Sequence, residues 1–158
     1  VQKRAFKRSW KHFQSNLNII LMNIHGLGTD IVNTERFKII LNKKISFKKR
    51  IFTNNEINYC KRKKNSMSCY ALRFAAKEAF SKALGTGIAE GISFKEIEII
   101  KNKTGKPSIK LIGKTLLATQ RHLKRKKFKF FLSISDDKPF AIASVIIAYQ
   151  WKKIFLIY

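Results

Sequence analysis

Arg73-Phe74-Ala75-Ala76-Lys77-Glu78-Ala79-Phe80-Ser81-Lys82-Ala83-Leu84-Gly85-Thr86-Gly87 is the stretch around which the chain is organised. Four positions separate Glu78 from Lys82, so on an α-helix the carboxylate and the ammonium stand one turn apart on one face, and the helix closes just beyond them at Gly85. A carboxylate placed there can hold a magnesium ion that bridges phosphate oxygens. The lysine can meet those oxygens directly, and the Gly85-Thr86-Gly87 turn lets backbone come close to a ligand. The alternative is a solvated helix pair contributing only a few tenths of a kcal/mol, and the segment by itself does not choose between the two.

Working outward, Leu72, Ala75, Ala76, Ala79 and Ala83 form an apolar stripe on a helix running from about Cys69 to Leu84, capped by Ser66 or Ser68. Its small residues predict tight packing against a sheet. Upstream, Thr53-Asn54-Asn55-Glu56 has the form of a capping box that opens a short helix toward Lys63. Thr34 to Leu41 reads as another helix. Asn23 to Val32, with its glycines and β-branched residues, reads as a strand with close backbone approach, and Asp30 falls at its end, where side chains commonly reach a site. Downstream, Phe94 to Lys101 and Pro107 to Ile112 are two strands joined by a loop at residues 102–106. A helix from Gly113 to Lys124 follows, then strands at Phe128 to Ser135 and Phe140 to Tyr149 around an Asp136-Asp137-Lys138-Pro139 turn. The fold class is α+β, an antiparallel sheet packed against a long helix.

A chain of 158 residues with 45% hydrophobic content can bury one core, which makes one domain the default. A formal charge of +25 implies an anionic partner: nucleic acid, an anionic membrane or an acidic protein. Against only 9 Asp and Glu, a carboxylate beside phosphate-binding features is more informative than another lysine. Residues 1–21 carry Lys3, Arg4, Lys7, Arg8 and Lys11 with no acid and no clear period. They are expected to lie outside the domain, which would span residues 22–158; the rival reading is a basic arm that touches a membrane or nucleic acid. Cys60 and Cys69 have no metal-ligand spacing, and His12, His25 and His122 form no motif, so the expectation is reduced cytosolic thiols and no zinc. Leu17 to Ile24 is too short to span a bilayer, and no stable membrane anchor is expected.

Three blocks resemble, in order, the 4'-phosphopantetheinyl transferase family of the holo-[acyl-carrier-protein] synthase type. They are Gly26-Leu27-Gly28-Thr29-Asp30-Ile31-Val32 with Arg36, then Phe52-Thr53 with Glu56, then Arg73 through Lys82 to Gly87. Gly105-Lys106-Pro107 and Ser133-Ile134-Ser135 followed by Phe140-Ala141-Ile142-Ala143 match as well, so the resemblance spans about Met22 to Ala148. One departure stands out: many members carry a histidine directly after the Ser-x-Ser, where this chain has Asp136.

The resemblance implies transfer of 4'-phosphopantetheine from coenzyme A to a serine of apo-acyl carrier protein, in support of fatty acid biosynthesis, in the cytoplasm and by a homotrimer. It implies Asp30, Glu78 and Lys82 as catalytic residues, with Asp30 and Glu78 as ligands of Mg2+. Arg73, Lys82, Gly85, Thr86, Gly87, Lys106 and Pro107 would face coenzyme A, and Arg36, Lys49 and Arg50 the acidic carrier protein. For Arg73 and Lys77, contact with coenzyme A phosphates and a solvated helix face stay open. Lys77 points about 100° around the helix from Glu78, so its loss is expected to cost far less than that of Lys82. A basic nucleic-acid-binding protein is the alternative. It would account for the charge and the 13 Phe, yet the chain shows no RNP-like, helix-turn-helix or zinc pattern.

Overall fold

The structure, a computed structural model, describes residues 20–43, 45–124 and 127–152. Residues 24–149 form one compact unit. Most of the basic stretch at residues 1–21 lies outside the described residues.

Strand β1 (Ile20–Asn33) leads into helices α1 (Thr34–Lys43), α2 (Ile45–Ile51), α3 (Asn54–Lys61) and α4 (Ser66–Leu84). A 3-10 turn at Phe94–Glu96 precedes the hairpin of β2 (Ile97–Lys101) and β3 (Pro107–Leu111), and α5 (Gly113–Leu123), β4 (Lys129–Asp137) and β5 (Phe140–Lys152) complete the fold. One sheet has three strands in the order β1-β5-β4, and the other is the β2-β3 pair. β4 and β5 run antiparallel with Ser133 opposite Ser144, and Ile99 lies opposite Ile109 in the hairpin. These elements fit the expected α+β class.

Local signals place most of the elements. Thr53 and Glu56 form the expected capping box: the Thr53 hydroxyl accepts from the Glu56 N–H at 3.2 Å, and the Glu56 carboxylate accepts from the Thr53 N–H at 2.9 Å. The long helix begins at Ser66, and its N-cap is Asn65, not Ser66 or Ser68; the Asn65 side chain accepts from the Ser68 N–H at 3.1 Å. Gly85 ends the helix in the left-handed conformation, φ 85°, which costs glycine little. The sequence reading contained no helix at α2, whose last turn carries Lys48, Lys49 and Arg50 and whose burial comes from Ile51 and the neighbouring Phe52.

The core lies along α4. Ala71, Ala75, Ala76, Ala79 and Phe80 are fully buried, as are Ala141, Ala143 and Val145 of β5, and Phe80 meets Phe130 of β4 edge-on at 5.4 Å. Small residues on both sides let backbones approach. On β1 a Cβ at Gly28 would run into the Ala79 carbonyl and the Ala83 N–H of α4.

The expectation of reduced thiols is corrected: Cys60 at the end of α3 and Cys69 in the first turn of α4 form a disulfide with Cα atoms 5.5 Å apart. The connection at residues 62–65 folds the two helices back on each other, which brings together cysteines 9 residues apart in sequence.

Candidate active site

Alternation along β1 puts Gly28 and Asp30 on the same face, two residues apart. The glycine lets the strand lie directly on α4, so Asp30 arrives beside the helix. Lys82 closes that meeting: its Nζ donates to Asp30 Oδ1 at 2.8 Å and to the Thr29 carbonyl at 3.0 Å. One turn earlier on α4, Glu78 joins Asp30 in lining a cavity of about 250 Å³ with Asn33, Arg36, Phe37, Ile40 and Phe74. Burial holds the Glu78 carboxyl above the usual carboxylate range. The charge of Asp30 adds to this shift, and Lys82 opposes it. Asp30 is therefore brought from some fifty residues away to the Glu78 and Lys82 face of α4, as expected.

The other coenzyme candidates fall elsewhere. Gly85, Thr86 and Gly87 form the turn immediately after Lys82, with Gly85 and Gly87 at positive φ and the Thr86 hydroxyl donating to the Gly87 carbonyl at 3.2 Å. Arg73 lies about 140° around α4 from Glu78 and faces a second cavity of about 710 Å³, lined with Tyr59, Lys61, Arg62, Glu98 and Lys101. The hairpin carries Lys106 and Pro107 toward that side, since Pro107 pairs with Lys101 across β2 and β3. The sequence reading missed Tyr59, Arg62 and Lys101. They form no motif, and only the fold gathers them: the Lys63 and Lys101 ammonium groups lie over the Tyr59 ring at 4.7 and 6.0 Å. Burial alone would raise the Tyr59 hydroxyl, but those two ammonium groups outweigh it and bring it below its ordinary value.

Neither open reading of Lys77 survives. It is fully buried, with Nζ donating to Glu56 Oε2 at 2.7 Å, the Phe94 carbonyl at 2.8 Å and the Ile51 carbonyl at 2.9 Å. Glu56 also accepts from the Ile99 N–H at 3.0 Å, so this ion pair joins α3, α4 and β2. Arg73 is not a solvated face either: it is 5% exposed, donates to the Cys69 carbonyl and Sγ, and stacks 4.4 Å over Tyr59. Its Nε is buried and meets no hydrogen-bond partner among the described residues.

Two carboxylates lining one open cavity, with the Lys82 ammonium bonded to Asp30 beside it, suit a ligand with dense negative charge bridged by a cation. A family model for the 4'-phosphopantetheinyl transferase superfamily matches residues 26–144. The chain belongs to this superfamily. The transferase is 46% identical over 126 residues to a holo-[acyl-carrier-protein] synthase of Pelagibacter ubique, covering 80% of this chain and 98% of that protein. Its fold is similar to a Bacillus anthracis holo-(acyl-carrier-protein) synthase solved with CoA (3',5'-ADP), at 37% identity and TM-score 0.65, covering 81% of this chain and 98% of the other. It is also similar to the Helicobacter pylori holo-[acyl-carrier-protein] synthase solved with coenzyme A, at 34% identity and TM-score 0.63, covering 77% and 98%. The family match leaves the nucleic-acid-binding alternative without support.

For this transferase, the fit of a metal rests on the donor set. No group of three or more His, Cys, Asp or Glu that could hold a metal occurs among the described residues, and Asp30 and Glu78 are a pair. Magnesium is commonly held by one or two carboxylates and completed by substrate phosphates and water, so the pair fits Mg2+ and not a closed structural site. Of the carrier-side candidates, Arg36 lines the Asp30 cavity, while Lys49 and Arg50 are exposed on α2. Asp136, in place of the histidine, accepts a hydrogen bond from Ser68 at the start of α4. Among the described residues, no helix is long and apolar enough to cross a membrane.

Proposed function

We propose that this protein transfers 4'-phosphopantetheine from coenzyme A to a serine hydroxyl of an apo-acyl carrier protein, giving the holo-carrier and adenosine 3',5'-bisphosphate. The observation that carries the reading is that Asp30 and Glu78 line one open cavity while Lys82 binds Asp30 beside it, in a chain of this superfamily. The serine Oγ forms the new bond to the β-phosphorus, the bond from that phosphorus to the bridging oxygen breaks, and the electron pair leaves with the nucleotide phosphate. Mg2+, held by Asp30 and Glu78, would neutralise charge on the diphosphate. Lys82, whose side chain is 53% exposed, is free to turn its ammonium from Asp30 to the departing phosphate. Asp30 then has an oxygen available to take the serine proton.

Arg73, Lys106 and Pro107 take the nucleotide end of coenzyme A, supported by the basic second cavity. The Gly85-Thr86-Gly87 turn takes the segment next to Lys82. Arg36, Lys49 and Arg50 meet the acidic carrier, and Ile39 and Ile40, exposed beside Arg36 on α1, add apolar contact. A homotrimer is part of the proposal. It is supported by Leu27, Ile31, Phe131 and Ile142, large apolar side chains left exposed on the three-stranded sheet, and by the two candidate cavities facing different sides of α4. The transferase domain is placed within residues 22–158, supported by the family match over residues 26–144 and the compact unit of residues 24–149, and the enzyme in the cytoplasm.

The test is incubation with coenzyme A, Mg2+ and an apo-carrier protein, followed by intact mass of the carrier. The wild type gives the phosphopantetheine adduct, and Asp30→Ala and Glu78→Ala give none while keeping a native far-UV circular dichroism spectrum. Absence of the adduct with wild type sinks the proposal; near-normal turnover of either variant at low Mg2+ removes the two-carboxylate site.

A further inference from the structure

The Cys60–Cys69 bridge lies behind the wall of the larger cavity: Tyr59 and Lys61, the chain neighbours of Cys60, and Arg73, bonded to Cys69, all line it. Cys60 is fully buried and Cys69 is 7% exposed. Together they pin both ends of the basic connection Lys61-Arg62-Lys63-Lys64-Asn65. Arg73 Nη1 donates to Cys69 Sγ at 3.0 Å and to the Cys69 carbonyl at 3.2 Å. The same guanidinium covers Tyr59, the residue directly before Cys60, and its buried Nε meets no hydrogen-bond partner among the described residues. A covalent change at the sulfurs therefore reaches the cavity's buried cation, its aromatic wall and its basic rim in one step.

We propose that Cys60 and Cys69 form a redox modification site whose state sets the affinity of this cavity for a phosphate-bearing ligand. Under the function proposed above, on which the inference rests, that ligand is the nucleotide end of coenzyme A. The reaction is thiol–disulfide exchange with a dithiol. The S–S bond breaks, two S–H bonds form, the chain gains two electrons and two protons, and the dithiol leaves as a disulfide. In the bridged state Cys69 presents a neutral sulfur to Arg73, so the guanidinium is left to an incoming phosphate, and the bridge holds Lys61 and Arg62 at the rim. In the reduced state a Cys69 thiolate pairs with Arg73, competes with the phosphate, and releases the rim. Oxidation thus tightens binding and reduction weakens it. In compartments kept reducing by thiol systems, disulfides are characteristically transient and redox-sensing, which suits a pair that cycles.

The test uses the full chain, equilibrated in oxidised or reduced dithiothreitol and checked for its bridge by alkylation and intact mass. Adenosine 3',5'-bisphosphate is the probe for calorimetry, and transfer kinetics are run in parallel. The expected result is a Kd at least about fivefold lower in the bridged state, with KM for coenzyme A following it and kcat unchanged. The Cys60→Ser/Cys69→Ser double variant should lose the redox dependence; Cys60→Ala/Cys69→Ala serves if the serine variant does not fold. Equal Kd in the two verified states, no binding in either, persistence of the effect in the double variants, or unfolding on reduction each overturns the proposal. Redox-dependent binding of the probe without any transfer would instead uphold this inference and remove the carrier reaction.

Discussion

Burial and the nearby charge of Asp30 keep the Glu78 carboxyl protonated to a higher pH than an ordinary glutamate. Its folded-state pKa is raised, so the fold disfavours the ionised form: the cost to stability is fully present above the raised value and vanishes below the unfolded one. Glu78→Gln should therefore melt slightly higher than wild type at neutral pH while transferring nothing, as a thermal scan beside the carrier assay would show. Because a cation needs the ionised carboxylate, transfer should fall on acidification sooner than an ordinary glutamate would allow. Asp30→Asn should shift the Glu78 titration to lower pH, followed by carboxyl carbon NMR; an unmoved midpoint would mean that the two acids are not coupled. The two lysines of α4 should separate cleanly. Removal of a phosphate contact in a partly desolvated site is worth roughly 2–4 kcal/mol, so Lys82→Ala should lose about a hundredfold in rate with an unchanged melting temperature. Lys77→Met strands the buried Glu56 carboxylate at a cost of about 3–5 kcal/mol, so it should melt much lower while its folded fraction keeps most of its kcat. Similar losses of rate and stability in both variants would refute this division.

At the level of elements, the site is a contact between β1 and α4, and Gly28 sets its closeness. A Cβ there meets backbone atoms of Ala79 and Ala83, which cannot turn aside as a flexible side chain can. Gly28→Ala should cost about 1–3 kcal/mol by overpacking and should also slow transfer, because β1 carries Asp30 away from Glu78 as it shifts. Denaturant midpoints and kcat measured on the same preparation check both; wild-type values would show that strand and helix have room to part. The capping box at Thr53 and the stop at Gly85 were legible because each depends on residues within one turn. The cap at Asn65 was not, since Asn65, Ser66 and Ser68 are all competent caps, and the choice depends on where α4 is pulled by its packing.

For the whole molecule, the proposed trimer predicts that light scattering gives three times the chain mass and that active preparations do not contain stable monomers. A stable, active monomer would contradict it. With a formal charge of +25, association with an acidic carrier should weaken steeply with salt. That slope, measured as KM for the carrier against ionic strength, should flatten when Arg36, Lys49 and Arg50 are neutralised together.

The sequence alone determined the α+β class, the long helix with its alanine stripe, and the family, and it singled out Asp30, Glu78 and Lys82 as the candidates. These depend on periodicity, caps and ordered blocks of residues, all of which are written within a few positions of one another. The tertiary structure decided which way the remaining polar residues of α4 face. Lys77 reads as a surface lysine until α3 brings Glu56 against it, and burial then turns it into a fixed internal ion pair. Arg73 belongs to a cavity built by Tyr59 and Lys101, and Cys60 meets Cys69 because two helices fold back on one another. Side-chain charges separated by tens of residues acquire meaning only from the distances between them, and packing of the core sets those distances.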